Sequence, residues 1–191
     1  MPAASTSKDE IIDRLFTVFR DRGFEGASLA DLSRATGLGR SSLYHYFPEG
    51  KDQMAAAVLA RAEVVIDSQI FRAAQAPEPL SVRVRKIVSA LEHMYSGGRT
   101  LCVLGQLATA SLGPSARESL RNSFEQWTVA IAKLARDGGM KDARARDFAE
   151  DWVARLQGTL ILQAAHGRTG PFKRVLKTLH DLAKETRGSS V

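Results

Sequence analysis

Residues 40–46, with the sequence RSSLYHY, bring hydrogen-bonding side chains together on one short stretch of the chain. The polar members are Arg40, Ser41, Ser42, Tyr44 and His45. An arginine can donate two parallel hydrogen bonds to the edge of a guanine base, whereas serine hydroxyls discriminate poorly between bases. The chemistry that this set suits is contact with duplex nucleic acid. The base sequence that would be recognised cannot be read from these residues.

Two short helices and a tight turn are expected to position these side chains. Ser28 can cap a helix over residues 29–35, with Asp31 in the positively polarised first turn. Gly37 tolerates the positive φ that ends such a helix, and a second helix is expected over residues 40–46. This arrangement is a helix-turn-helix, whose second helix has the right diameter for a major groove. The apolar residues expected to hold the pair together are Leu29, Leu32, Leu38, Leu43 and Phe47.

The composition is that of a globular protein with room for one sizeable domain, or for one small and one medium domain. Of the 191 residues, 44% are hydrophobic and 25% are charged, which excludes disorder throughout the chain. No run approaches the roughly 18 to 20 apolar residues of a membrane span. The first ten residues lack the apolar segment of a signal peptide, and the single Cys102 suits a reducing compartment. We therefore expect a cytoplasmic protein that does not bind membranes.

The charge is distributed in a way that makes local placement more informative than the total. The net charge is +6, but residues 1–51 contain seven basic and seven acidic side chains. The basic groups that favour a polyanionic partner lie around the predicted turn. They are Arg34, Arg40, His45 and Lys51.

The apolar periodicity predicts an all-α fold of about nine helices and no strand. Ser7 and Glu10 form a capping-box pattern for a first helix over residues 7–22, which Gly23 ends. A long fourth helix is expected from Lys51 through Phe71, ending before the prolines that follow. The other helices are expected over residues 81–95, 101–112, 115–137 and 142–166, and from Pro171 onward.

The segment DEIIDRLFTVFRDRGFEGASLADLSRATGLGRSSLYHYFPEGKDQM resembles the TetR family of one-component bacterial repressors. It has the family's order of an amphipathic helix, Gly23-Phe24, the Ser28 cap, Ala35-Thr36-Gly37 and the aromatic run before a lysine. The link Pro48-Glu49-Gly50-Lys51 is one residue longer than usual and is similar to that of the LmrA/YxaF branch. The segment TLCVLG, residues 100–105, resembles the start of a pocket helix in the same branch.

The resemblance implies a role for each polar residue around the turn. Arg40 and Ser41 would meet base edges or adjacent phosphates, and Ser42 belongs to the same DNA-binding set. Tyr44 and His45 would contact phosphate or sugar. Ser28 would hold the DNA backbone through its hydroxyl and the helix N-terminus, and Lys51 would meet a phosphate. In contrast, Tyr46 and Phe47 are expected to be core residues.

The resemblance also implies a division of the chain and a mechanism. Residues 1–51 would form a three-helix DNA-binding domain, and residues 52–191 a helical ligand-binding and dimerisation domain. The eighth and ninth helices would pair in a homodimer, so that two recognition helices read a palindromic operator. A small apolar or aromatic effector would release this repressor from the DNA.

A pocket among the fifth, sixth, seventh and eighth helices would hold that effector, and the alternative for each of its residues is ordinary core. The candidates are Met94, Tyr95, Cys102, Leu104, Gln106, Leu107, Trp127, Ile131, Trp152 and Gln157. Cys102 also suggests a redox sensor, since Arg99 lies three residues away. The apolar run around Cys102 favours a buried small side chain instead.

Catalysis has little support in the sequence. The histidines His45, His93, His166 and His180 lack metal-ligand spacing, and neither a phosphate loop nor a nucleophile elbow is present. We therefore expect no enzyme, metal or cofactor. The competing hypotheses are a ligand-binding or redox-responsive helical protein whose helix-turn-helix no longer binds DNA, and a small helical enzyme that would need a polar cluster absent from this pattern.

Overall fold

The structure is a computed structural model that describes residues 7–188, with side-chain detail as far as Lys184. Within this range the chain forms nine helices and no strand, which confirms the predicted all-α fold. They are α1 Lys8–Gly26, α2 Leu29–Thr36, α3 Arg40–Tyr46, α4 Lys51–Ile66 continued by Asp67–Phe71 and Arg72–Gln75, α5 Leu80–Met94, α6 Val103–Ala108, α7 Pro114–Asp137, α8 Asp142–His166 and α9 Gly170–Gly188.

The chain packs into two compact units. Among the described residues, unit 1 consists of those up to Val64 together with Val103–Asn122, and unit 2 of Val65–Cys102 together with those from Ser123 onward. The predicted functional division between residues 51 and 52 stays a prediction. By packing, the first part of α4, all of α6 and the first part of α7 belong with the helix-turn-helix.

Unit 1 is built on α1. Ser7 and Glu10 form the predicted capping box, with the Glu10 amide 3.2 Å from the Ser7 hydroxyl and the Ser7 amide 2.9 Å from the Glu10 carboxylate. The buried stripe of α1 consists of Ile11, Leu15 and Phe19. Helix α1 packs against both α2 and α6. The left-handed Gly23, with φ of 68°, interrupts α1 close to the predicted end, although one more turn follows as far as Gly26.

Helix α6 is shorter than predicted, and the segment that follows it is held by hydrogen bonds to other elements. It covers Val103–Ala108 instead of residues 101–112. The Gln106 side-chain amide donates to the Arg20 carbonyl of α1 at 3.1 Å. Beyond α6, the Ser111 amide donates to the Glu25 carboxylate at 3.0 Å, and the Gly113 amide donates to Asp52 at 2.9 Å. The bonds of Ser111 and Gly113 satisfy backbone donors outside any helix.

Helix α4 contains a π-helical turn that the sequence pattern did not predict. The turn covers Asp67–Phe71, and the Arg72 amide donates to the Asp67 carbonyl five residues before it. Ile66 and Phe71 are both 4% exposed. Their separation of five residues fits one π-helical turn better than one α-helical turn, which repeats every 3.6 residues. The helix ends at Gln75, before Pro77 as predicted.

The interior of unit 2 contains paired aromatic rings and an ion pair between a buried arginine and a half-buried carboxylate. The rings of Trp127 and Trp152 are stacked with centroids 6.5 Å apart. Arg83 is buried, donates to the Ala74 carbonyl at 2.7 Å and lies 2.7 Å from the Asp137 carboxylate. Burial pushes the pKa of Asp137 upward, but hydrogen bonds from Lys133 and Arg83 outweigh burial and lower it.

No helix in the described part of the chain combines the length and the apolar character that a membrane crossing requires.

Replacement of Gly98 by alanine is expected to destabilise unit 2 strongly. Gly98 has a φ of 88°, and an added Cβ would lie 2.6 Å from the ring of Phe172. We expect a loss of about 3 kcal/mol or more, because left-handed strain and overpacking combine. Gly139→Ala is the matched control, since Gly139 has a similar φ of 92° with nothing within 4 Å of the added Cβ. It should cost only about 1 kcal/mol. Urea unfolding of the two variants measures this difference, and equal losses would contradict it.

Candidate nucleic-acid interface

The serine cap of α2 and the left-handed glycine of the turn between α2 and α3 are both present as predicted. Ser28 caps α2, and Gly37 ends it in the left-handed region with φ of 73°. The Gly37 amide donates to the Ser33 carbonyl at 2.9 Å. Helix α3 then begins after Gly39, which provides no side-chain cap. The predicted bounds of α3 coincide with those of the structure.

A side chain from α1 braces this turn. The Arg14 guanidinium donates to the Thr36 carbonyl at 2.9 Å, and the Ser33 hydroxyl donates to the Leu38 carbonyl. The buried Thr36 hydroxyl donates to the Leu32 carbonyl at 2.8 Å. The Thr36 carbonyl at the end of α2 and the Leu38 carbonyl after it therefore receive side-chain donors. Arg14 is a contributor that the sequence analysis missed, because its partner lies 22 residues away.

Helix α3 divides into a buried side and an exposed side. Leu43 is fully buried, and Phe47 directly after the helix is 1% exposed, as predicted. The exposed members of the predicted set on α3 are Arg40, Ser41, Tyr44 and His45, and Ser42 is half-buried. Tyr46 is also half-buried, with its ring 5.9 Å from that of His45, so it is only partly a core residue.

Tyr44 takes its place against the link between α3 and α4. Gly50 has a φ of 72°, and an added Cβ would lie 3.3 Å from Cε1 of the Tyr44 ring. The Gly50 amide donates to the Phe47 carbonyl at 2.9 Å, and the Met54 amide donates to the Gly50 carbonyl. The four-residue link therefore ends in a left-handed glycine that starts α4 and lies under the exposed tyrosine.

Ser28 is already engaged within the protein. Its hydroxyl donates to the Asp31 carboxylate at 2.6 Å and accepts the Asp31 amide at 3.1 Å. A hydroxyl donates only one proton, so contact with a phosphate through this group would require exchange of that bond. The Asp31 carboxylate also lies 3.3 Å from Arg22 and 3.1 Å from Arg34, two exposed guanidinium groups beside α2. The sequence did not predict Arg22 at this site, because Arg22 belongs to α1 and comes near Asp31 only through the turn at Gly23.

Lys51 is half-buried at the start of α4. Its ammonium group lies 4.6 Å from the centroid of the Phe24 ring. Burial lowers the pKa of Lys51, and the carboxylates of Glu25 and Asp52 oppose this lowering. The lysine is therefore held by its surroundings rather than extended freely into solvent.

The predicted pocket residues do not share one unit. Leu104, Gln106 and Leu107 lie in unit 1, where the two leucines are fully buried and Gln106 bonds to α1. The others lie in unit 2 and are Met94, Tyr95, Cys102, Trp127, Ile131, Trp152 and Gln157. Of these, Met94 and Gln157 are half-buried and the rest are buried. The lining of an effector pocket stays a prediction.

Cys102 has a tyrosine hydroxyl as its neighbour. It is 5% exposed, and the Tyr95 hydroxyl donates to its Sγ at 3.4 Å. Burial, followed by the thiol itself, raises the pKa of Tyr95 well above its usual value. Arg99, the positive group considered for activation of the thiol, is exposed and donates to the Ser96 carbonyl. This surrounding is that of a small core side chain rather than of an activated thiolate.

The described residues contain no group of three or more histidine, cysteine or carboxylate side chains that could hold a metal ion.

Two family descriptions match successive parts of the chain. Residues 11–58 match the bacterial regulatory proteins of the tetR family, and residues 77–178 match the C-terminal domain of the LmrA/YxaF-like transcriptional regulators. Together these matches include the helix-turn-helix and most of unit 2.

Characterised proteins and solved structures agree with these matches. The HTH-type transcriptional regulator LmrA of Bacillus subtilis is 21% identical over 93% of this chain and 97% of its own. The HTH-type transcriptional repressor DhaR of Mycobacterium sp. strain GP1 is 24% identical over 94% of this chain and 93% of its own. A TetR transcriptional regulator from Legionella pneumophila has a TM-score of 0.81 at 17% identity, covering 95% of this chain and 98% of that one. The likeness to the Legionella pneumophila structure shows the fold alone.

Replacement of Ser28 by alanine is expected to raise the pKa of Asp31. That pKa is lowered chiefly by the hydrogen bond from the Ser28 hydroxyl, with Arg22 and Arg34 contributing less. A carboxyl group whose pKa is lower in the folded state stabilises the fold at pH values above its unfolded-state pKa. This stabilisation is lost as the pH falls through the folded-state pKa. The Ser28→Ala variant should therefore lose less stability than the wild type as the pH falls through this range. Carboxyl NMR titration measures the pKa, with Arg34→Ala as the control of smaller effect. An unchanged Asp31 pKa in Ser28→Ala would contradict this account.

Proposed function

Because this chain belongs to the TetR family of bacterial regulatory proteins, in its LmrA/YxaF-like branch, we propose that it is a homodimeric repressor that a small effector releases from a palindromic operator. Its general function is that of a DNA-binding transcriptional regulator. TetR-type regulators are not enzymes, in agreement with the lack of catalytic motifs in the sequence. We place the protein in the cytoplasm, where its DNA target lies.

The observation that carries the proposal is the exposed polar side of α3 on a braced turn. Arg40 and Ser41 lie at the N-terminal end of α3, which is the end that a recognition helix presents to base edges. Tyr44 and His45 are exposed one turn later and would bond to phosphate or sugar. The half-buried Ser42 would contribute at the edge of this surface.

Two further contacts complete the proposed interface. Lys51, held over the Phe24 ring, would meet a phosphate from the start of α4. Ser28 would act chiefly through the N-terminus of α2, because its hydroxyl is occupied by Asp31. Arg22 and Arg34 offset the charge of Asp31 there, so a phosphate would not face an uncompensated carboxylate.

Dimerisation through α8 and α9 is supported by an exposed apolar surface. Ile161 and Leu162, adjacent on α8, are 63% and 48% exposed. A groove beside them is lined by Gly158, Leu162 and Pro171, among others, and so includes residues of both helices. Large exposed aliphatic side chains beside a shallow groove suit a second copy of the same helices. Two tethered recognition helices about 34 to 36 Å apart would then fit successive major grooves.

The effector would act by favouring one of two arrangements of the dimer. In one arrangement the spacing of the recognition helices fits the operator, and in the other it does not. An effector shifts this equilibrium only to the extent that it binds the second arrangement more tightly. The relative DhaR is named as a repressor, which supports repression as the regulatory outcome.

Arg40→Ala and Tyr44→Ala are expected to weaken operator binding. Genomic fragments retained by the purified protein supply the operator, and shift assays on that operator at several salt concentrations give the affinities. Loss of a bidentate base contact at Arg40 should cost about 10-fold to 100-fold and relax selectivity. Tyr44→Ala should weaken binding to all sequences alike. Arg144→Ala, an exposed arginine of α8, is the control and should bind normally. A wild-type protein without sequence-selective binding at low ionic strength would refute the proposed function.

Ile161→Glu is expected to dissociate the dimer. A charge in the centre of an apolar helix pairing would be buried without a partner, so the variant should sediment as a monomer at concentrations where the wild type is dimeric. Val64→Glu is the matched control, because Val64 is 62% exposed but lies in unit 1. Analytical ultracentrifugation distinguishes the two variants. Identical sedimentation of Ile161→Glu and the wild type would place the dimer interface elsewhere.

A further inference from the structure

Two buried polar groups on α7 have no hydrogen-bond partner among the described residues. They are Nε1 of Trp127 and the hydroxyl of Ser123, in side chains that are each 1% exposed. The two residues are four apart on α7, so their side chains lie on the same face of the helix, one turn apart. Buried polar groups are normally bonded, and an unpaired donor in the interior costs free energy.

The rest of the interior shows that this is not a general property of the fold. The indole N–H of Trp152, whose ring stacks on Trp127, donates to the Val175 carbonyl at 3.1 Å. The buried hydroxyls of Thr128 and Thr159 donate to carbonyls of their own helices at 3.2 and 2.8 Å. Trp127 and Ser123 therefore differ from neighbours of the same chemical type in the same unit.

The surroundings of this pair are aromatic. The ring of Phe71 meets that of Trp127 edge-on, with centroids 5.7 Å apart. The rings of Trp127 and Trp152 are stacked instead. Phe71 is the last residue of the π-helical turn in α4. Such turns are rare and frequently occur at functional sites. Trp152 is fixed by its bond to Val175, so room for a further ring would come from movement of Phe71.

The charge of a suitable ligand is limited by the same interior. Arg83 is the buried charged side chain of the described residues, and it is committed to Asp137 and to the Ala74 carbonyl. A carboxylate brought next to Trp127 would gain two neutral donors but no free buried cation. Burial of an unpaired charge is far more costly than burial of a neutral acceptor.

We propose that Trp127 and Ser123 form a two-donor site for the neutral hydrogen-bond acceptor, such as a carbonyl oxygen, of a flat aromatic ligand. The ring of the ligand would take the place of Phe71 beside Trp127, and its acceptor would receive the indole N–H and the Ser123 O–H. This inference rests on the proposed function for its regulatory meaning, since the ligand would be the effector. The binding step itself does not depend on DNA.

Three probes of nearly equal shape test the site. These are 2-acetylnaphthalene, which carries a neutral carbonyl, 2-isopropenylnaphthalene, which lacks an acceptor, and 2-naphthoate, which is anionic. Calorimetry on the full chain without DNA should show 2-acetylnaphthalene binding at least about tenfold more tightly than either analogue, a difference of about 1.4 kcal/mol. The chain has two tryptophans, so its amide spectrum contains two indole signals. Only the Trp127 signal should move downfield with 2-acetylnaphthalene.

Matched variants separate hydrogen bonding from packing. Ser123→Ala and Trp127→Phe should each reduce the preference for the carbonyl probe to less than about threefold. Thr128→Val removes a donor that already has a partner, so the preference should survive in that variant. The melting temperature should fall more for Trp152→Phe than for Trp127→Phe, since only the former leaves a carbonyl unpaired.

The outcomes decide the inference independently of the proposed function. Absent binding of 2-acetylnaphthalene, equal affinity for the three probes, or a preference that persists in the double variant Ser123→Ala/Trp127→Phe would overturn it. A tightly held water that bonds both groups and is not displaced by the probe would overturn it as well. Loss of operator binding in the shift assay would refute the regulator, while the probe measurements would still report on this site.

Discussion

The presentation of α3 depends on the hydrogen bonds that brace the turn after α2. The last carbonyls of α2 have no partners within the helix, and the left-handed Gly37 alone satisfies only part of them. Arg14 of α1 supplies a donor for the Thr36 carbonyl, and the Ser33 hydroxyl supplies one for the Leu38 carbonyl after the helix. Since α3 has no side-chain cap of its own, its position follows from this turn and from the burial of Leu43. The first helix is therefore both a packing surface and a hydrogen-bond donor for the DNA-reading element.

The two units differ in how completely their polar groups are paired. In unit 1, the turn, the loop after α6 and the start of α7 are tied by hydrogen bonds between elements. Unit 2 contains the unpaired donors of Trp127 and Ser123 and the π-helical turn. A regulator needs a well-ordered reading surface and an interior that a ligand can reorganise. The distribution of paired and unpaired groups fits that division of labour.

The parts of the fold that sequence reasoning predicted are those governed by neighbouring residues. The capping box of α1, the Ser28 cap, Gly37 and the bounds of α3 all follow from residues a few positions apart. The π-helical turn was missed, because Ile66, Ile70 and Phe71 also fit a regular apolar stripe. The exposed and buried sides of α3 followed from the leucine and aromatic spacing.

Long-range pairs were beyond sequence reasoning. The Arg14 brace spans 22 residues, and the bonds of Ser111 to Glu25 and of Gln106 to Arg20 each span 86. The pocket set shows the same difficulty, since Leu104 and Leu107 have the apolar character of a lining but pack in unit 1. A single sequence shows which residues prefer burial, but not which interior receives them.

The attachment of α6 to α1 affects how this protein can be recombined with its relatives. A crossover after residue 51 would transfer α1, α2 and α3 while leaving behind Gln106 and Ser111, whose donors bond to Arg20 and Glu25. The residues that pack together as unit 1 are therefore encoded by two separate stretches of the gene. A hybrid that exchanges only the first stretch would pair residues of unit 1 from two different proteins. A hybrid within this branch therefore has to exchange residues 103–122 as well.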